Sequence, residues 1–161
     1  MKLKAKDIMV QDYAIVRPDT TVKEAACIIF EGKVRERGYK SFGVMVVNNK
    51  GRLVGMVSVW DILYHVRPPF MQHQAGDGSV WEEEIDFHLE EFNDLRVEEI
   101  MSYPVLTAAP DDHLMVLVNK MVKNRIRRLP VEDGDKLYGI VYLSDVYYHV
   151  YKSWLQKNQT C

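Results

Sequence analysis

The chain contains one pattern twice, and that duplication limits what it can fold into more than any other feature. Asp7-Ile8-Met9 followed by Pro18-Asp19 returns as Glu99-Ile100-Met101 followed by Pro110-Asp111, both displaced by 92 residues. Gly55-Met56-Val57-Ser58-Val59-Trp60-Asp61 returns as Gly139-Ile140-Val141-Tyr142-Leu143-Ser144-Asp145, displaced by 84. The first copy therefore carries 8 more residues between its halves than the second. Shared punctuation and hydrophobic pattern predict two similar units related by a pseudo-twofold axis. A cleft where such units meet is a favoured place for a small ligand.

In the first copy, Ala14 to Arg17 reads as a short extended segment closed by Pro18, which pushes its predecessor out of helical geometry. Thr20 or Thr21 can cap the helix that follows, where Val22, Ala25, Ala26 and Ile29 form one apolar stripe. Gly32 weakens or ends that helix. Phe42 to Val47 is an almost continuous apolar run, the pattern of a strand covered on both faces. Asn48-Asn49-Lys50-Gly51 is turn chemistry, Leu53 to Val57 returns as a second strand, and a helix starts at Ser58.

The second copy repeats the plan. Val105 to Ala108 is extended, and Pro110-Asp111-Asp112 opens a helix with Leu114, Leu117, Val118 and Met121 on one face. Leu129 to Glu132, the Asp133-Gly134-Asp135 turn and Lys136 to Val141 form a hairpin, and a last helix runs from about Ser144 toward Leu155. Each copy thus reads β-α-β-β-α, with a short helical lead-in at Lys6 to Met9 or Val97 to Met101. The predicted partition is 1–66 for the first copy, 67–96 for a linker and 97–161 for the second copy. Within the linker, Pro68-Pro69 and Gly76-Asp77-Gly78 interrupt regular structure. Trp81 to Phe92 reads as an inserted acidic helix with Trp81, Ile85, His88 and Leu89 on one face. Its glutamates fit a solvated surface, with a partner contact or a ligand gate as the other reading.

Composition removes several classes of function. With 47% hydrophobic and 27% charged residues the 161-residue chain is an ordinary globular protein. A net charge of −2 gives no overall reason to expect nucleic acid or acidic lipid as a partner. No run approaches the roughly 18–20 apolar residues of a membrane span, and no signal core follows the N-terminus, so the cytoplasm is the expected location. The two cysteines, Cys27 and Cys161, argue against a disulfide framework. Cys27, between Ala26 and Ile28, reads as a small core residue with no base nearby to activate it. The five histidines lack metalloprotease spacing, and the cysteines form no metal pair. A metal between His65 and His73 is the weaker reading against packing or solvation. Gly51, Gly55, Gly76 and Gly78 form neither a Walker nor a Rossmann loop. No catalytic residue, metal or required cofactor is expected.

One position carries ligand chemistry. Asp61 sits one turn into a helix that begins directly after a strand. A carboxylate there can accept two hydrogen bonds from a ribose cis-diol, while the helix-start amides and the Ser58 hydroxyl suit a phosphate. Ser58-x-x-Asp61 equally satisfies the capping-box pattern, and Ser144-Asp145 can be read the same way. Both readings stand at this level.

The β-α-β-β-α repeat, the Met-x(n)-Pro lead-in and the closing Gly-h-h-x-x-x-Asp together resemble the cystathionine-β-synthase (CBS) domain; two in tandem resemble a Bateman module. The resemblance covers nearly all of the chain except about residues 67–93. It implies an α/β (α+β) fold of two units joined through their sheets, with clefts for adenosine-containing ligands. It also implies pairing of modules into a flat disk and a sensing role. It carries the small hydroxyl residue to Ser58 and the aspartate to Asp61 and Asp145, whereas Tyr142 replaces the hydroxyl residue in the second copy. There a phenol would narrow the cleft or stack on a base.

By the same resemblance a basic residue precedes the strand Leu129-Pro130-Val131, so one of Arg127 and Arg128 is expected at the phosphates. Arg125, Arg35, Arg37 and Lys40 are read as helix-end or solvent charges. Adenine is expected on apolar strand edges: Ile15 and Val16 with Phe42 and Val44 in one cleft, and Thr107 and Ala108 with Pro130 in the other. The expected function is a stand-alone regulatory module that binds AMP, ADP or ATP in the inter-repeat cleft and signals, as a homodimer, to an unknown effector protein. The alternative is a ligand-free oligomerisation or interaction module, favoured by Tyr142 and the acidic insert. Tyr147, Tyr148, Tyr151 and Trp154, with Ile62 and Leu63, are expected to form a dimer contact, since tyrosine and tryptophan are enriched at interfaces.

Overall fold

The computed structural model describes residues 2–32, 34–35, 40–68, 71 and 82–158, with backbone alone for 82–85 and 157–158. Arg37, His73, Trp81, Cys161 and the Gly76-Asp77-Gly78 break lie outside the described residues. The chain divides into two compact units whose limits cross those of the repeats. One is Ala14–Pro104; the other joins the N-terminal segment through Tyr13 to the residues from Val105 onward.

In the Ala14–Pro104 unit, β1 (Ile15–Val16) pairs in parallel with β2 (Gly43–Val47), and β2 pairs antiparallel with β3 (Leu53–Ser58). All of β2 is buried, as its unbroken apolar run predicts. The hairpin turn is built by Asn48, whose Oδ1 accepts hydrogen bonds from the Lys50 and Arg52 amides, and by Gly51 at a φ of 78°. The helix Val22–Glu31 is capped by Thr21, which exchanges hydrogen bonds with Glu24, and ends at Gly32. Those bonds from Thr21 hold the Glu24 carboxyl below its ordinary pKa.

Val22, Ala25 and Ile29 of this helix face the core. Cys27 does not: it is exposed, because at 100° per residue it lies well off that stripe. The acidic helix Glu82–Asn93 is anchored by Phe92, which is buried in the same core, while Phe87 and Leu89 remain exposed.

In the other unit, β4 (Arg128–Asp133) and β5 (Lys136–Tyr142) form a two-stranded antiparallel hairpin around Gly134, at a φ of 58°. The strand expected over Val105 to Ala108 shrinks to one parallel bridge between Ala108 and Val131. The Ala108 amide donates to the Pro130 carbonyl and the Glu132 amide to the Ala108 carbonyl, at 2.8 and 2.9 Å. The next rung, toward Leu106, would need an N–H from residue 130, and proline has none. Leu114, Leu117 and Met121 of the helix Leu114–Asn124 fill the core with Leu129, Val131 and Val141. The C-terminal helix Leu143–Asn158 buries Val146 but exposes Tyr147 and Trp154, with Tyr147 stacked on Tyr151 at 5.9 Å.

Each unit is completed by the lead-in of the other repeat. The first amides of a helix have no partner within it. The Leu114 amide donates to the Leu3 carbonyl, while Ala5 and Lys6 donate to the Asp112 and Pro110 carbonyls, at 2.8–3.0 Å. In the other unit Val22 donates to Leu95, Val97 to Thr20 and Glu98 to Pro18, at 2.8–2.9 Å. These are the same three bonds shifted by 92 residues. The lead-in helices Ala5–Ile8 and Val97–Ile100 bury Ala5, Ile8, Val97 and Ile100 in their host cores. Lys4 and Lys6 also flank Asp111, both at 2.8 Å, and their hydrogen bonds hold its carboxyl at about 2.

The chain after each lead-in helix runs along the hairpin. Val10 exchanges two hydrogen bonds with Ile140, and Ser102 exchanges two with Met56. This close approach explains the repeated glycine. A Cβ on Gly139 would stand 2.7 Å from the Val10 carbonyl oxygen, and one on Gly55 would stand 2.5 Å from the Met101 sulfur.

Two outcomes follow from this packing. Residues 14–104 expressed alone should melt cooperatively, whereas 1–66 should not, because 1–66 lacks Phe92, Val97 and Ile100. Burying each such side chain contributes about 1.5–3 kcal/mol, against a whole-domain stability of about 5–15 kcal/mol. Equally sharp circular-dichroism melts for both fragments would contradict the exchange. Gly139→Ala should destabilise the chain by about 1–3 kcal/mol. Gly55→Ala should cost less in the same denaturant titration, since a thioether yields more easily than a backbone carbonyl.

Candidate functional site

Ser58 is the last residue of β3 and the cap of the helix Val59–Val66, which places Asp61 in that helix's first turn. The Ser58 amide and hydroxyl both donate to Asp61 Oδ2, each at 2.7 Å, and the Asp61 amide approaches Ser58 Oγ at 3.4 Å. A capping box is therefore present. The other carboxylate oxygen, Oδ1, accepts a hydrogen bond from the Ser102 hydroxyl at 2.8 Å. Ser58 and Asp61 are half-buried and Ser102 is exposed, so water reaches the group. The Val59 amide donates to the Phe42 carbonyl at 3.0 Å, which holds Phe42 beside the helix start. Two rings are open to solvent there, Phe42 at 56% exposure and Trp60 at 79%. His65 Nδ1 lies 2.8 Å from the Asp61 carbonyl oxygen.

The other expected residues of this copy separate into two kinds. Ile15 is exposed, whereas Val16 and Val44 belong to the core. Ile15 and Val16 also line a groove of about 530 Å³ with Arg17, Lys23, Cys27 and Ile28. Ser58, Asp61, Phe42 and Val44 are not among its lining residues. The Arg17 guanidinium there is engaged by the Val47 and Asn48 carbonyls.

The second copy is more closed. Asp145 is 7% exposed, and Tyr142, at the position of Ser58, is also buried. Ala108 and Pro130 are core residues. Thr107 is half-buried, and its carbonyl accepts a hydrogen bond from Lys120, which is also ion-paired with Asp112. Arg127 is exposed, while Arg128 lies half-buried in β4 opposite Tyr142. Arg125 ends the preceding helix in the left-handed conformation, at a φ of 53°. Lys40 is held by the Phe30 carbonyl.

Among the described residues no group of three or more histidine, cysteine or carboxylate side chains is placed to hold a metal. No helix among them is long and apolar enough to cross a membrane. Ser102 was not legible as a site residue, because the 92-residue offset pairs it with Val10 and so hides it from the repeated pattern.

Removing the cap hydroxyl with Ser58→Ala should lower unfolding free energy by about 0.5–2 kcal/mol. A denaturant midpoint equal to that of the unaltered chain would show that the box contributes nothing.

The CBS domain family matches residues 5–68 and 97–152. The chain is 29% identical over 141 residues to the CBS domain-containing protein YhcV of Bacillus subtilis, covering 88% of this chain and 81% of that one. It is 28% identical over 141 residues to a homoserine O-acetyltransferase of Methanohalobium evestigatum, but spans only 22% of that protein's length. Among solved structures, the CBS domain of a membrane protein from Sphaerobacter thermophilus is 26% identical. It covers 91% of this chain and 87% of its own, with a TM-score of 0.67. CBSX2 in complex with AMP has the same fold at 21% identity and a TM-score of 0.67, covering 94% of this chain and 98% of its own. The family model matches the chain in two segments, and the chain belongs to the CBS domain family as a tandem pair of CBS domains.

Proposed function

We propose that the pair is a regulatory module that binds an adenosine-containing nucleotide of the AMP, ADP or ATP class at Ser58 and Asp61. The observation that carries this reading is a solvent-reached carboxylate, fixed in direction by the Ser58 amide and hydroxyl at a helix start. Such a group can accept the hydroxyls of a ribose, and the nearby amides and hydroxyl suit a phosphate. Phe42 and Ile15, both exposed, offer apolar surface to a base. The AMP complex of CBSX2 supports the ligand class by likeness of fold.

The counterpart group of Asp145, Arg127, Arg128, Thr107, Ala108 and Pro130 is the weaker of the two. Its aspartate is buried, and Tyr142 replaces the serine. The module acts in the cytoplasm as a homodimer, without catalysis, and passes its ligand state to an effector protein. An accessory role suits a pair that corresponds to about a fifth of the acetyltransferases it matches.

A second reading, a ligand-free interaction module, is favoured by the exposed Leu63, Tyr147 and Trp154, residues suited to a dimer contact. The two readings part in one experiment. Millimolar AMP, ADP or ATP should raise the melting temperature, since a ligand at 100 times its Kd stabilises by about 2.7 kcal/mol. Asp61→Ala should abolish the shift. A dimer in sedimentation that shows no shift with any of the three would leave the interaction module standing.

A further inference from the structure

We propose that the Ser102 hydroxyl is an internal stand-in for a sugar hydroxyl at Asp61, which a bound nucleoside diol must displace. The inference rests on the nucleotide reading above and concerns how that site sets its affinity and its preference for ribose.

The reasoning is a count of acceptor positions. An ionised carboxylate offers about four lone-pair sites, two on each oxygen. Asp61 Oδ2 already accepts from the Ser58 amide and the Ser58 hydroxyl, and Oδ1 accepts from Ser102. Among the described residues these are the donors to the Asp61 carboxylate, which leaves one site, on Oδ1. A cis-diol brings two donors, so one of the three existing bonds must open. The Ser58 amide is fixed by the strand-to-helix junction. The Ser58 hydroxyl serves the cap as both donor and acceptor, so releasing it weakens the helix start. Ser102 is exposed, so water can take the place of Asp61 as its partner, and its release costs only the net worth of one hydrogen bond.

The release needs no movement of the chain. The Ser102 amide and carbonyl are both paired with Met56, at 2.9 and 3.1 Å, so a change of side-chain rotamer is enough. The device is confined to one copy. Val10 occupies the corresponding place beside Ile140, with the same two backbone hydrogen bonds, and a valine side chain has nothing to donate. A sugar with one hydroxyl can use the remaining site and leave Ser102 where it is. Ser102 therefore reduces the advantage of a ribonucleotide over its 2′-deoxy analogue.

Calorimetric titration of the full chain with AMP and with 2′-deoxy-AMP tests this. Ser102→Ala should bind AMP about three- to tenfold more tightly, the equivalent of one hydrogen bond no longer competed for. Its affinity for 2′-deoxy-AMP should stay within about twofold of the unaltered chain on the same reasoning. Ser102→Thr, which restores a hydroxyl, should return AMP affinity toward the starting value. If Ser102→Ala binds AMP no more tightly while Asp61→Ala has lost it, the stand-in role is overturned and the nucleotide reading survives. Equal tightening for both nucleotides would also overturn it, because no second hydroxyl would then be in competition. If neither the unaltered chain nor Ser102→Ala binds any of AMP, ADP and ATP, both proposals fall together.

Discussion

The fold depends on three backbone hydrogen bonds that each lead-in makes to the start of a helix in the other repeat's territory. Helix-start amides are unsatisfied by construction, and a lead-in carbonyl at Leu3 or Leu95 satisfies the first of them. In return, the carbonyls of the Pro-Asp turn receive the first amides of the lead-in helix. Two short helices of four residues each, far too short to persist alone, are held on both sides in this way. Their buried residues then finish the cores. Neither repeat is complete without a segment of its twin.

This exchange gives the repeated signature a structural reason that precedes any ligand. The glycine of each signature stands where a Cβ would strike the lead-in, so it is required for the lead-in to lie along the hairpin. The Ser58 and Asp61 side chains close the start of a helix. Ligand chemistry, where it operates, is therefore superimposed on a capping box and on a contact from the lead-in at Ser102. A carboxylate already oriented by neighbours needs little reorganisation to receive a ligand, but its free acceptor positions are few. The two copies differ at this point. Tyr142 and Val10 stand in the places of Ser58 and Ser102, so the second copy lacks a serine hydroxyl at either of those two positions.

Local patterns were legible wherever one element decides its own conformation. The valine run of β2 and the Asn48–Gly51 turn appear as the residues predict, Thr21 is the cap of the two threonines offered, and of the stripe Val22, Ala25, Ala26 and Ile29 all but the half-buried Ala26 are buried. Errors arose in two ways, from helix phase within one element and from neighbours that decide an element's pairing or packing. Cys27 follows Ala26 in sequence, yet the helix phase turns it outward. The segment Val105 to Ala108 has strand composition, but its partner carries Pro130 at the position that must donate. Of the acidic-helix face Trp81, Ile85, His88 and Leu89, the first two side chains lie outside the described residues, Leu89 is exposed, and His88 is half-buried against the His65 carbonyl, while Phe92 enters the core. At the candidate site Ser58 and Asp61 could be named in advance, while Ser102 could not, because only one repeat carries it.

The sequence by itself determined the duplication, the type and order of the elements within each copy, and the residues able to cap or to bind at each helix start. Those properties are local, governed by turn chemistry, hydrophobic period and the side chains within a few positions of one another. Tertiary structure alone decided which lead-in serves which core, why glycine must stand at positions 55 and 139, and how many acceptor sites Asp61 has left. Each of those is set by atoms tens of residues apart in the chain, brought together by hydrogen bonds whose partners no local pattern encodes.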